Sequence, residues 1–139
     1  MNKKPIILGI ESSCDETAAS IITENEQGMP TILSSIVSSQ VDVHKEFGGV
    51  VPELAARSHM EKIDLITKKA FDKSGVKMED LDAIAATAGP GLMVCLSVGL
   101  SFGKAMALMS LSHVARAQAQ PRKPWARTHL CLVWARRQR

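Results

Sequence analysis

Short apolar runs and polar turns succeed one another along this chain in a readable order. Residues 5–10, Pro5-Ile6-Ile7-Leu8-Gly9-Ile10, form a first apolar run, and residues 17–23 form a second. The stretch between them is polar and carries three carboxylates, Glu11, Asp15 and Glu16. Two apolar runs around so short a turn predict a tight β-hairpin with its chemistry at the tip. Residues 24–30 read as a polar turn, and residues 31–38 as a third strand that completes an antiparallel meander. Residues 40–49 read as a connecting loop ending in Gly48-Gly49.

Pro52 suits the first turn of a helix, where its missing N–H would have been unpaired anyway. The face that follows, Val51, Ala55, His59, Ile63, Ile66 and Ala70, recurs close to the helical period, and Gly75 supplies a stop. Residues 81–88 predict a fourth strand, parallel to the first because a helix precedes it. Gly89-Pro90-Gly91 then turns the chain, and residues 92–109 read as a second long helix. The fold class is therefore α/β, in the order β-β-β-α-β-α. Gly99 and Gly103 lie four apart on the second helix, so another backbone can approach it closely. Packing on the chain's own sheet and a partner interface both fit that spacing.

The candidate chemistry sits at the hairpin tip. Backbone N–H groups of such a turn can cradle a phosphate, and carboxylates at a strand end can hold a cation or orient a nucleophile. The plain alternative is a set of solvated turn acids. Gly89-Pro90-Gly91 at a helix N-terminus could favour an anion, or be a structural turn only. Lys104 reads as a solvated helix residue.

Four segments, taken together, carry a resemblance. Gly9-Ile10-Glu11-Ser12-Ser13-Cys14-Asp15-Glu16-Thr17 is followed by Phe47-Gly48-Gly49-Val50-Val51-Pro52-Glu53-Leu54-Ala55-Ala56-Arg57-Ser58-His59. Then come Ala86-Thr87-Ala88-Gly89-Pro90-Gly91-Leu92 and Ser97-Val98-Gly99-Leu100-Ser101-Phe102-Gly103-Lys104-Ala105. In this order they resemble the first part of the tRNA threonylcarbamoyl-adenosine transferases, once labelled O-sialoglycoprotein endopeptidases or glycoproteases. The resemblance covers residues 5 to 107.

The resemblance implies the first lobe of an actin/Hsp70/sugar-kinase-like domain, incomplete because family members are more than twice as long. It implies transfer of a threonylcarbamoyl group from threonylcarbamoyl-AMP to the adenosine beside the tRNA anticodon. On this chain it places Asp15, Glu16 and Glu11 as catalytic candidates, with Ser12, Ser13, Gly89 and Gly91 toward the nucleotide phosphate. Glu11 takes the strand-end place where related kinases and ATPases use an aspartate. The full-length family binds one divalent metal, iron or zinc. It also pairs with a related subunit through helices of this lobe.

Composition agrees with a globular protein: 139 residues, 45% apolar, enough for one core. Cys14, Cys95 and Cys131 are odd in number and scattered, which reads as reduced thiols in a cytoplasmic protein. Lys3-Lys4 and the first apolar run are too short for a signal peptide, and no stretch is long enough for a membrane span. Charge, however, is divided. Residues 1–82 hold all 14 acids and nine of the 17 basic residues, and residues 83–139 hold eight basic residues and no acid.

That division marks a departure from the family. After Ala107 the family continues into Lys-Pro-Phe, a fifth strand and His-x-x-x-His. Here both tryptophans and seven basic residues follow, without a helical or strand period. Residues 1–107 are thus expected to be the lobe, and residues 108–139 an irregular, disordered basic tail read out of frame after a gene disruption. A genuine RNA-binding tail is the rival.

His113 is followed four residues later by Ala117, and His129 by Val133, so neither supplies a metal-binding histidine pair. No metal site is expected in this chain. His59 reads as a helix-face or core histidine. With half a cleft, the chain alone is expected to be inactive. Alternatives are a non-catalytic docking module for the related subunit and a fragment of an ATPase or phosphotransferase of the same fold.

Overall fold

The computed structural model describes residues 4–110 in full and, beyond them, the backbone of two short strands at 113–116 and 133–136. Strand β1 (Ile7–Glu11) pairs antiparallel with β2 (Glu16–Glu24), and β2 pairs antiparallel with β3 (Pro30–Ser39). After the crossover, β4 (Ala83–Ala86) lies parallel to β1 on its other side, so the sheet order is β3-β2-β1-β4. The parallel pairing follows from the intervening helix, which carries the chain back to the sheet's starting edge.

Side-chain alternation decides which residues form the core. Leu8 and Ile10 of β1, Ala19 and Ile21 of β2, and Ile84 and Ala86 of β4 are buried together. Helix α2 (Pro52–Ser74) covers them with Ile63, Ile66 and Ala70, and helix α3 (Met93–Met109) adds Ala107. Helix α2 has the expected ends. Pro52 occupies its first turn, and Gly75 closes it in the left-handed conformation (φ 69°), donating to the Phe71 carbonyl at 2.9 Å. Among the described residues no helix is long and apolar enough to cross a membrane.

Three local expectations change. Residues 40–49 are no simple loop. Val41–His44 forms a one-turn helix, α1, and Lys45–Phe47 a 3-10 turn that Gly48 ends at φ 66°. His44 buried beneath this segment explains why it winds inward. Strand β4 is shorter than residues 81–88, because Leu81 still belongs to the end of the 3-10 turn Met78–Asp80. The tail is not wholly irregular either: β5 (His113–Arg116) and β6 (Val133–Arg136) pair with each other as a separate antiparallel sheet. Val and Trp in these segments favour extended backbone. The expected disorder of the rest of the tail concerns residues outside those described, as does His129.

Gly99 and Gly103 serve the chain's own sheet. A Cβ at Gly99 would lie 2.4 Å from Ser12 Oγ and 3.5 Å from Ile10 Cγ2, while one at Gly103 would meet Ala86 Cβ at 3.4 Å. The first distance is a collision and the second an ordinary contact. Gly99→Ala should therefore lower the unfolding free energy by about 1–3 kcal/mol, the cost of overpacking. Gly103→Ala should be neutral or stabilising by up to about 1 kcal/mol, because alanine's helix preference adds to a contact of ordinary length. Urea unfolding of the two variants beside the parent chain separates them, and equal losses would contradict this packing.

Candidate active site at the first hairpin

The end of β1 splits its residues between two tasks. Ser12 points inward with Leu8 and Ile10 and is buried. Its hydroxyl donates to the Cys95 carbonyl at 2.9 Å and accepts the Gly99 N–H at 3.1 Å. Ser12 is thereby committed to holding α3. Glu11, one residue earlier, points to the other side of the sheet. One carboxylate oxygen accepts the Ser13 N–H at 2.6 Å, and the other accepts the Thr87 hydroxyl. Thr87 in turn donates its N–H to the Ile10 carbonyl at 3.1 Å. Glu11 thus ties the hairpin tip to the end of β4, beside a shallow groove of about 160 Å³ that Gly9, Ser20, Ser35 and Thr87 also line.

The turn itself is anchored through its carbonyls. Ser13 O accepts the Leu92 N–H at 2.8 Å, Cys14 O accepts His59 Nε2–H at 3.0 Å, and Asp15 O accepts the Gln40 N–H at 2.9 Å. Three successive carbonyls therefore point into the protein, toward α3, α2 and the start of α1. In a trans peptide the C=O and the next N–H point opposite ways. The N–H groups of Cys14, Asp15 and Glu16 consequently lie toward the outer side of the turn. The Asp15 N–H also meets the Cys14 sulfur.

Asp15 is half-buried beside the Cys14 thiol, and Glu16 is exposed at the first position of β2. Burial pushes the Cys14 thiol above its ordinary value, and the neighbouring Asp15 charge adds to the rise. Cys14 is therefore a protonated, poorly nucleophilic thiol. Gly91 completes the arrangement by its smallness. A Cβ there would lie 2.5 Å from Ser13 O and 2.7 Å from Ser13 Cβ. Gly89 has open space around its Cα and makes no such contact. The structure thus gathers Glu11, Ser13, Asp15, Glu16 and Gly91 around one turn. It sends the Ser12 side chain to the opposite face.

Behind the turn lies a buried polar network that the sequence signals only faintly. His59 is fully buried, as a core position on α2 predicts, yet it reaches across to the hairpin. Its Nδ1 lies 2.8 Å from Thr17 Oγ1 and 3.2 Å from Gln40 Nε2. Gln40 Oε1 in turn faces His44 Nε2 at 3.3 Å, and His44 Nδ1 accepts the Val51 N–H at 3.4 Å. Thr17, Gln40, His44 and Thr87 were not singled out as site residues by sequence. The available signal was Thr17, a polar residue in phase with the inward-facing Ala19 and Ile21.

Among the described residues no group of three His, Cys, Asp or Glu side chains could hold a metal ion. Both ring nitrogens of His59 are already bonded. The described residues do not fit the family's metal.

The model for TsaD, tRNA N6-adenosine threonylcarbamoyltransferase, matches residues 31–113. A curated enzyme of that description from Agrobacterium fabrum is 56% identical over 101 residues, covering 73% of this chain and 28% of its own length. One from Clostridium perfringens is 48% identical over 120 residues, covering 82% and 34% respectively. The chain therefore spans about a third or less of the relatives it matches. YeaZ from Pseudomonas aeruginosa shares the fold at a TM-score of 0.53 and 15% identity, over 76% of this chain and 41% of that one. A second solved protein, described as similar to peptidase YEAZ, aligns at 0.54 and 14% identity, over 92% of this chain and 63% of its own. The fold is that of the actin/Hsp70/sugar-kinase-like lobe, and by its sequence the chain belongs to the TsaD family of tRNA N6-adenosine threonylcarbamoyltransferases.

Proposed function

We propose that residues 4–110 are the phosphate-facing half of a threonylcarbamoyl-transfer site, inactive without the second lobe. The observation that carries this reading is the hairpin turn with three inward carbonyls, which leaves its N–H groups on the outer side next to Asp15. N–H groups so arranged stabilise a phosphate, whose charge rises as it leaves. In the reaction, the adenosine amine attacks the carbamoyl carbon of threonylcarbamoyl-AMP. The C–O bond to the phosphate breaks, AMP departs with that oxygen, and the amine loses a proton. Asp15 is the candidate acceptor for that proton. Glu11, bonded at both oxygens, keeps the turn in place. Such chemistry depends on closing two lobes around both substrates, and one lobe supplies little of that.

A chimera tests the assignment. Residues 1–107 of this chain, exchanged for the matching segment of the Agrobacterium fabrum relative, should restore tRNA modification that the 139-residue chain alone does not perform. Asp15→Ala in the chimera should lower kcat by about 10²-fold or more, the usual weight of a positioned general base. A chimera indifferent to that change would remove Asp15 from the chemistry.

The family match reaches into the first residues of the tail 108–139 and ends at 113, so the basic remainder lies beyond it. We read it as out-of-frame translation. Sequencing the gene from the Lys104 codon should reveal Lys-Pro-Phe and His-x-x-x-His in another frame. Finding neither in any frame would make the tail the protein's own.

Docking to a related subunit is a second reading, supported by one observation. A groove of about 370 Å³ between α2 and α3 is lined by Met60, Ile63, Val98 and Phe102. Mixed with such a subunit, the chain should form a complex that Met60→Glu, a change at an exposed position, weakens at least about tenfold by the burial of a charge. Unaltered binding would move the interface elsewhere.

A further inference from the structure

We propose that His59 is the positioning residue of the hairpin turn, fixing the Cys14 carbonyl through its Nε2–H while Gln40 sets which ring nitrogen carries the proton. This rests on the reading of the turn as ligand-facing.

The tautomer follows from the partners. A carbonyl only accepts, so the 3.0 Å contact to Cys14 O requires a hydrogen on Nε2. In the neutral ring Nδ1 is then the acceptor, taking hydrogens from Thr17 Oγ1 and Gln40 Nε2. Gln40 has little freedom to turn over. Its second amide hydrogen points at the Ala55 carbonyl at 3.5 Å, and its Oε1 faces the His44 Nε2–H. The ring is thus locked from β2 and from the β3–α1 junction, outside its own helix.

A histidine that merely fills a core needs partners for its own nitrogens. His59 does more, because it satisfies a carbonyl in a turn 45 residues away. The two flanking carbonyls are held by backbone N–H groups, from Leu92 and Gln40. Any residue at those positions other than proline supplies such a group. The middle clamp alone depends on a side chain, and it acts on the peptide that directly precedes Asp15.

Burial favours the neutral ring as the working form, against the pull of the hairpin carboxylates. Burial lowers the His59 pKa below 6.5; the Cys14 carbonyl and the hairpin acids Glu11 and Asp15 pull it back up, and Lys62 on the same helix adds to the lowering. His44 stands behind Gln40, and the Cys14 thiol lies beside the turn. A second ring proton, on Nδ1, would face the Gln40 NH₂ group donor to donor. Because the folded value is depressed, the stabilisation is complete above pH 6.5 and is lost as pH falls through the ring's lowered value.

The test uses the full 139-residue chain and amide hydrogen exchange followed by NMR near pH 7. His59→Leu keeps the volume and removes the donor, whereas His59→Gln keeps an N–H donor of similar reach. In His59→Leu the amides that anchor the turn, Gln40 N–H on the Asp15 carbonyl and Leu92 N–H on the Ser13 carbonyl, should exchange on the order of tenfold faster, the weight of one lost hydrogen bond. Amides of β4 should change less, and His59→Gln should restore most of the protection. Ring nitrogen shifts of the parent should report the Nε2–H tautomer. Unchanged exchange at the turn would overturn the proposal. So would equal acceleration of β4, identical behaviour of the two variants, or an Nδ1–H tautomer. No ligand enters the experiment, so an intact clamp beside a dead chimera would instead sink the ligand-facing reading.

Discussion

The Ser12 hydroxyl joins β1 to α3 by two hydrogen bonds, donating to Cys95 O and accepting from Gly99 N. Much of the structure depends on that seam. It requires the helix backbone to come within reach of a strand side chain, and only a residue without a Cβ permits so close an approach at Gly99. Once the helix is seated there, its first residues fall beside the hairpin, Leu92 N–H meets Ser13 O, and Gly91 passes against Ser13. The geometry of the candidate site is therefore set from beneath, by packing between a strand and a helix. The exposed acids contribute less to its shape.

Much of this was legible in the sequence because the signals were strong and local. The apolar runs of β1 and β2, Pro52 and Gly75 at the ends of α2, and the apolar face from Ala55 to Ala70 all correspond to observed elements. What escaped was non-local. Thr17, Gln40, His44 and Thr87 matter because of what they meet across the fold, and no periodicity reports that. Ser12 and Glu11 are adjacent polar residues in the sequence. Only strand pleat and the position of α3 reveal that one holds the helix and the other ties the hairpin to the end of β4. Gly99 and Gly103 illustrate the same limit. Their spacing announced a close approach without naming the partner, and the partner is the chain's own sheet.

The hairpin also shows how a buried polar network can serve specificity at modest cost. Each member from Thr17 to Val51 has its donors and acceptors matched, so the network avoids the penalty of an orphaned buried group. An apolar replacement could fill the same space, but it would leave the Cys14 carbonyl without its anchor. The network's value lies in the single orientation it imposes on the turn.

The three anchored carbonyls have a consequence for the order of events during synthesis. The turn is made before any of its anchors, which come from Gln40, His59 and Leu92 further along the chain. A chain emerging from its N-terminus can pair β1 with β2 at once, since that contact is local. The tip must then wait. Its last tether arrives only when α3 begins, so a turn translated well ahead of that helix acquires its final shape after it.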